Sequence, residues 1–149
     1  MTARKTAALI ALSLFAAFTF AQGSPKKSAE GTKIRIITNT ATVIVTLNGS
    51  DAAADLAALL PFETTLVERM GFAKSISLPK NLRSHEETTW DFEVGNLNYW
   101  DAGPSVSMPY NHKYDHTAVA VIPVGKADDP KQAEKLAGST GKVRVELAK

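Results

Sequence analysis

The residues with the most chemical potential lie near the middle of the chain. His112 and His116 stand four apart with Asp115 beside the second. On a helix that spacing would set both imidazoles on one face, as a zinc site requires. Here they fall in Asn111-His112-Lys113-Tyr114-Asp115-His116, which reads as a loop between strands. No Glu follows His112, and His85-Glu86-Glu87 could supply a third ligand only through the fold. The two histidines are therefore expected at a polar rim, with no metal and no cofactor. Other chemistries have less to stand on. There is no Gly-x-Ser-x-Gly elbow, no cysteine, and no glycine-rich phosphate loop or dinucleotide fingerprint. Asp91 and Glu93 share the solvent face of an expected strand, and Glu86-Glu87 is an adjacent pair on a loop, so neither forms the placed pair that glycosidase chemistry needs.

What remains is aromatic. Tyr99, Trp100, Tyr110 and Tyr114 lie within sixteen residues, with Met108 among them. Tyrosine and tryptophan join apolar area to a hydrogen-bonding tip, which suits a shallow groove for a peptide or small organic molecule. The candidate ligand-binding set is Tyr99, Trp100, Met108, Tyr110, His112 and His116. The same side chains would also serve simply to fill a small barrel, as Trp90 and Phe92 are expected to do.

These residues need a frame, and most of the chain has period two. Residues 33–37 (KIRII), 41–47 (ATVIVTL), 62–68, 73–78, 90–94 (WDFEV), 97–100, 105–109, 117–124 and 142–147 (KVRVEL) read as strands. Ser50 or Asp51 can cap a helix that Pro61 stops. Asp128 or Asp129 can cap a second, with Pro130 in its first turn and Gly138 beyond its end. Nine short strands and two short helices must hide their sheet edges, and closure into a small β-barrel is the usual solution. The expected class is mainly β. Asn48-Gly49-Ser50 matches a glycosylation pattern but reads as a turn, and Gly103-Pro104 stiffens the turn between two strands.

The beginning of the chain has a different character. Arg4 and Lys5 precede the apolar run of residues 7–20, and Thr19-Phe20-Ala21 places small residues where a signal peptidase reads. That is the layout of a secretory signal peptide over residues 1–21, with a run shorter than the ~20 residues of a membrane-spanning helix. Residues 22–32 (QGSPKKSAEGT) read as a disordered lead, and the domain runs over residues 33–149. Removing 21 of 149 residues leaves 128, enough for one domain. Arg4 and Lys5 also account for the whole net charge of +2, leaving fifteen basic against fifteen acidic residues. A neutral mixed surface gives no electrostatic reason for nucleic acid or a membrane as partner. Without cysteine, packing alone must hold an exported domain, which suits a bacterial periplasm or exterior. The oligomeric state is left open.

The ordered pieces resemble the cyclophilin-like domain family of bacteria. They are Thr46-Leu47-Asn48 with the alanine-rich helix ending Leu59-Leu60-Pro61, ISLPKNL (residues 76–82), Gly95-Asn96-Leu97-Asn98-Tyr99-Trp100, Ile122-Pro123-Val124-Gly125-Lys126, and Gly141-Lys142-Val143-Arg144-Val145. The resemblance implies a closed barrel related in fold to the peptidyl-prolyl isomerases. It does not carry the activity across. Isomerases of that fold place an arginine after a phenylalanine-histidine pair and follow it with a Gln-Gly-Gly-Asp run. Arg35, Arg69, Arg83 and Arg144 all lack that context, and the run is missing. The expectation is a peptide- or small-ligand-binding module. The alternative is an isomerase with an atypical site, in which Arg83 or His112 would donate to the prolyl carbonyl. A third reading, metal-assisted hydrolysis through His112 and His116, requires their rings to converge with a third ligand.

Overall fold

A computed structural model describes residues 27–149. The expected signal peptide and the first part of the expected lead lie outside these residues. The alternating stretches form eight strands: β1 (Lys33–Ile37), β2 (Thr42–Leu47), β3 (Phe62–Arg69), β4 (Ala73–Ser77), β5 (Asn96–Trp100), β6 (Ser105–Pro109), β7 (Ile122–Ala127) and β8 (Lys142–Leu147). Hydrogen bonding links them in the order β1-β2-β7-β5-β6-β4-β3-β8 and closes the ring. Every neighbouring pair is antiparallel. Closure removes the exposed edges that a run of short strands would otherwise present.

Strand period two fills the barrel with one face of each strand. Ile34 and Ile36, Val43 and Val45, Leu97 and Tyr99, Val143 and Val145 all point inward and are buried. Helix α1 (Asp51–Leu59) follows β2, with the Ser50 hydroxyl accepting from the Ala53 N–H at 3.0 Å as its N-cap. Its residues Ala52, Ala53 and Leu56 are buried. A short helix α2 (Pro130–Glu134) follows β7, capped by Asp129, and runs into a 3₁₀ turn, Lys135–Gly138, that buries Leu136. Because β2 and β7 are antiparallel, the two helices leave from opposite ends of the barrel.

The structure corrects three expectations. Residues 90–94 alternate but form no strand. Only Thr89 pairs, with Val121. The Trp90 carbonyl accepts from the Thr117 N–H at 2.9 Å, and Glu93 closes a local turn with Asn96, so no neighbouring strand is left to pair with. Trp90, expected in the core, is 51% exposed, whereas Phe92 is buried. Second, residues 117–121 are a loop, and β7 begins only at Ile122. Third, the lead is ordered where it is described. Ala29 is buried in the core cluster, and the Gly31 N–H donates to the Leu47 carbonyl at 3.0 Å.

Candidate functional site

The outward face of β4, β6 and β5 is unusual in carrying small residues. Ser75 on β4 lies opposite Ser107 on β6, which lies opposite Asn98 on β5. One step along one way is Ala73 beside Pro109, and the other way Ser77, Ser105 and Trp100. Outward faces of soluble barrels normally carry long polar side chains. Here the short ones leave a trough, and the loop of residues 117–121 stands over it. The result is a hollow of about 240 Å³, mostly apolar in its walls, with Trp100, Phe72, Pro109, Val119 and Val121 around a floor of Ser75, Ser107 and Asn98.

The floor is polar yet covered. Ser75, Ser105 and Asn98 are buried although they face outward. The Ser107 hydroxyl donates to the Ser75 hydroxyl at 3.0 Å. The Asn98 carboxamide makes no hydrogen bond to any described residue, although Asn98 is only 3% exposed. Its polar atoms are not sealed off: the amide opens on the hollow, where it can pair with what enters.

One end of the hollow is shaped by backbone strain. The β3–β4 turn closes with the Phe72 N–H donating to the Arg69 carbonyl at 3.1 Å, and both central residues carry positive φ, Met70 at 54° and Gly71 at 73°. Glycine takes that conformation freely; methionine does not. Met70 is also 55% exposed, so an apolar side chain stands in water on a strained turn at the lip. It separates the hollow from a neighbouring one of about 280 Å³ lined by Lys113, Tyr114 and His116, and both hollows touch Phe72 and Thr117. At the opposite end Trp100 packs against Gly103. A Cβ at position 103 would sit 2.5 Å from the indole, so the glycine is what allows the ring to form the wall.

The residues expected at the site divide by strand parity. Trp100 lines the hollow, but its neighbour Tyr99 points inward and is fully buried. The Tyr99 hydroxyl accepts from the Leu82 N–H at 3.0 Å and donates back to the Leu82 carbonyl at 3.4 Å, pinning a loop to the core. Met108 is likewise buried, opposite Lys74. Tyr110 is 8% exposed, and its hydroxyl donates to Glu68 Oε1 at 2.5 Å. Lys74 Nζ completes that group, 2.6 Å from Glu68 Oε2 and over the Tyr110 ring. Burial pushes the Tyr110 phenol up, and the bond to Glu68 and its charge add to this, reaching about 12. Burial also raises Glu68, but Lys74 and Tyr110 outweigh it and hold the carboxyl below its ordinary value.

The histidines do not converge on one another's partners. His112 stacks on Phe92 at 5.8 Å, with Nε2 3.8 Å from Glu93. His116 meets Trp90 edge-on at 6.2 Å, its Nδ1 2.8 Å from the Thr117 carbonyl, and it lines the second hollow. The described residues that could bring three ligand atoms together are Asp51, His85 and Glu86. His85 Nε2 lies 2.7 Å from Asp51 Oδ2, but Glu86 Oε1 is occupied by the Asp51 N–H at 2.5 Å, and Arg83 Nη1 lies 3.5 Å from the same Asp51 oxygen. A guanidinium and a helix N-terminus both oppose a cation there, and the group reads as an ionic cap on α1. Arg83 is held besides by Asp55, through its backbone N–H at 2.8 Å and two guanidinium bonds at 3.1 Å.

Sequence reasoning missed Arg69, Asn98, Ser75 and Ser107. The signal was available in part: small residues at every second position, Ala73, Ser75, Ser77 and again Ser105, Ser107, mark an outward stripe that something else covers.

Comparison with known proteins places the barrel. It is similar to the solution structure of the hypothetical protein AF2241 from Archaeoglobus fulgidus, with a TM-score of 0.60 and 21% identity over 83% of this chain and 98% of that one. It is similar also to the structure of McbB in complex with tryptophan, with a TM-score of 0.55 and 16% identity over 76% of this chain and 44% of McbB. At these identities the likeness shows the fold alone. No curated protein matches the chain. The sequence itself matches the Cyclophilin-like family over residues 36–148, nearly the whole barrel, and the chain belongs to that family.

Proposed function

We propose that this protein is an exported binding module that takes a peptide or small organic ligand in the hollow on the outer face of β4, β6 and β5. The observation that carries the reading is Asn98, whose carboxamide opens on the floor of an apolar-walled hollow and has no partner among the described residues. An amide offers one acceptor and two donors, so it can pair with a peptide group or another amide. Ser105 adds a hydroxyl that serves either way, and Ser107, its proton given to Ser75, adds an acceptor. The apolar walls supply burial, and the few polar groups supply orientation, which is the usual composition of a ligand site. Export rests on the signal-like residues 1–21, and on a domain whose sequence has no cysteine to oxidise.

Of the expected set, Trp100 contributes a wall, and His116 borders the neighbouring hollow. Tyr99, Met108 and Tyr110 support the barrel from within. His112 stands beyond Phe92.

A second reading has one observation behind it. Prolyl isomerisation on this fold needs a cationic donor beside an apolar groove, able to bond the twisted amide carbonyl. Arg83 is committed to Asp55, but Arg69 borders the hollow.

Both readings meet in one experiment. The folded domain is titrated with tryptophan, N-acetyl-phenylalanine and a blocked Ala-Ala-Pro-Phe peptide, following thermal midpoint and proline isomerisation together. A ligand of the folded state raises the midpoint, and Ser107→Trp, which fills the trough, should abolish the rise. A rise that survives Ser107→Trp places binding elsewhere and removes this proposal. Acceleration of isomerisation that is lost in Arg69→Gln would favour the second reading.

A further inference from the structure

We propose that the ligand of this groove carries a carboxylate on an apolar body, and that the Arg69 guanidinium is the carboxylate's seat. The inference rests on the outer-face hollow being a binding site. Four arginines lie among the described residues, and three of them have acidic partners. Arg35 and Arg144 bond Glu146, and Arg83 bonds Asp55. Arg69 has no ion pair and no side-chain hydrogen bond to a described residue. Its neighbour Glu68 is committed to Lys74 and Tyr110. Arg69 lies opposite Ala73, whose side chain faces the trough, so register directs the guanidinium to the groove side as well. A guanidinium's fork of donors matches a carboxylate's two oxygens.

The geometry also limits the ligand's size. Arg69 stands on β3 and Asn98 on β5, three strand spacings apart around the barrel and two residues along it, which together come to about 16 Å. Each side chain reaches inward from its own edge, and an extended residue spans about 3.3–3.6 Å. A unit of one or two residues therefore bridges them, its carboxylate on Arg69 and an amide on Asn98. The hollow of about 240 Å³ is smaller than the usual ~300–1,000 Å³ site, which suits one large apolar side chain between those anchors. The adjoining hollow beyond Met70 gives room for a chain that continues. A free acylated amino acid and the C-terminal residue of a peptide share this chemistry.

The test uses Trp100 as reporter. The chain has two tryptophans, so a Trp90→Phe background leaves the one on the groove wall. Phenylalanine, N-acetyl-Ala-Phe and a pentapeptide ending in phenylalanine are each titrated as free acid and as C-terminal amide. At least one acid should bind about tenfold tighter than its amide, and Arg69→Gln should reduce that ratio to near one. The pair with the tightest acid tells a small free acid from a peptide terminus. Arg69→Gln replaces an exposed side chain, and its thermal midpoint verifies folding. Acid and amide binding equally would overturn the carboxylate and leave the groove standing. Loss of the acid preference in Lys113→Gln but not in Arg69→Gln would overturn the assignment to Arg69. If none of the six probes changes Trp100 fluorescence, the groove reading falls with it.

Discussion

Asn98→Leu should make the protein more stable and unable to bind its ligand. Asparagine and leucine have nearly the same shape, so the substitution leaves no cavity. In the wild type the residue is 3% exposed, its carboxamide opens on the hollow, and it has no partner among the described residues. An unpartnered buried amide costs about 1–3 kcal/mol by mutational measures. Asn98 lines the hollow rather than the barrel core, so solvent reaches that space and the cost belongs at the lower end. Leucine removes the penalty and adds apolar contact with Trp100 and Val121, but leaves part of its own surface to the hollow. The net gain is about 1 kcal/mol, or roughly 3–5 °C in the thermal midpoint of a domain this size. Urea unfolding at pH 7 should show a raised midpoint with an unchanged slope. Every probe that binds the wild type should then fail against the more stable variant. A loss of 1 kcal/mol or more would refute the reasoning, because it would mean that Asn98 already satisfies a structural need in the empty protein.

Tyr110→Phe should cost about 1 kcal/mol at pH 7. A hydrogen bond to a charged group is lost, but Glu68 is 44% exposed and water can replace the phenol. The phenol is raised to about 12 in the folded state, so its contribution is complete below about pH 10 and is lost as pH rises through 12. Ultraviolet titration should show one tyrosine ionising near 12 that disappears in the variant. Glu68 has the opposite sign: its carboxyl is depressed, so its contribution stands above the ordinary carboxylate range and falls away on acidification through its folded value. Tyr99→Phe strands the buried Leu82 N–H and should cost about 1–3 kcal/mol in urea unfolding, while ligand titrations remain unchanged. Gly103→Ala should displace Trp100, seen as a shift of its emission in the Trp90→Phe background, and weaken binding severalfold with little loss of stability.

The barrel was legible because period-two alternation and helix caps are local signals. Ser50 and Pro61 bound α1, and Asp129 and Pro130 begin α2, where those residue types place them. The alternation of residues 90–94 failed because a strand also needs a neighbour, and Thr117 and Asn96 take the backbone groups it would have offered. The candidate site was half legible. Tyr99 and Trp100 are consecutive on one strand and cannot share a face, so one of them had to be core. The inward run through Leu97 and Tyr99 decides which. Tyr110 follows β6, and its polar tip is taken by Glu68, forty-two residues away. Arg69 and Asn98 could not be joined from the sequence, because their shared face depends on the β3-β4-β6-β5 order. His85 and Glu86 gather about Asp51 for the same reason: the fold, not the spacing, brings them together.

The central claim is that ligand meets the outer face of β4, β6 and β5, and nitrogen-resolved NMR of the labelled domain tests it most directly. On titration with each of the six probes, the tightest binder should shift the Asn98 side-chain amide, the Trp100 indole and the backbone of Ser107 and Val121. The resonances of Asp51, Arg83 and Glu86 should stay in place. Shifts confined to that second group, or a spectrum that does not change at all, would contradict it.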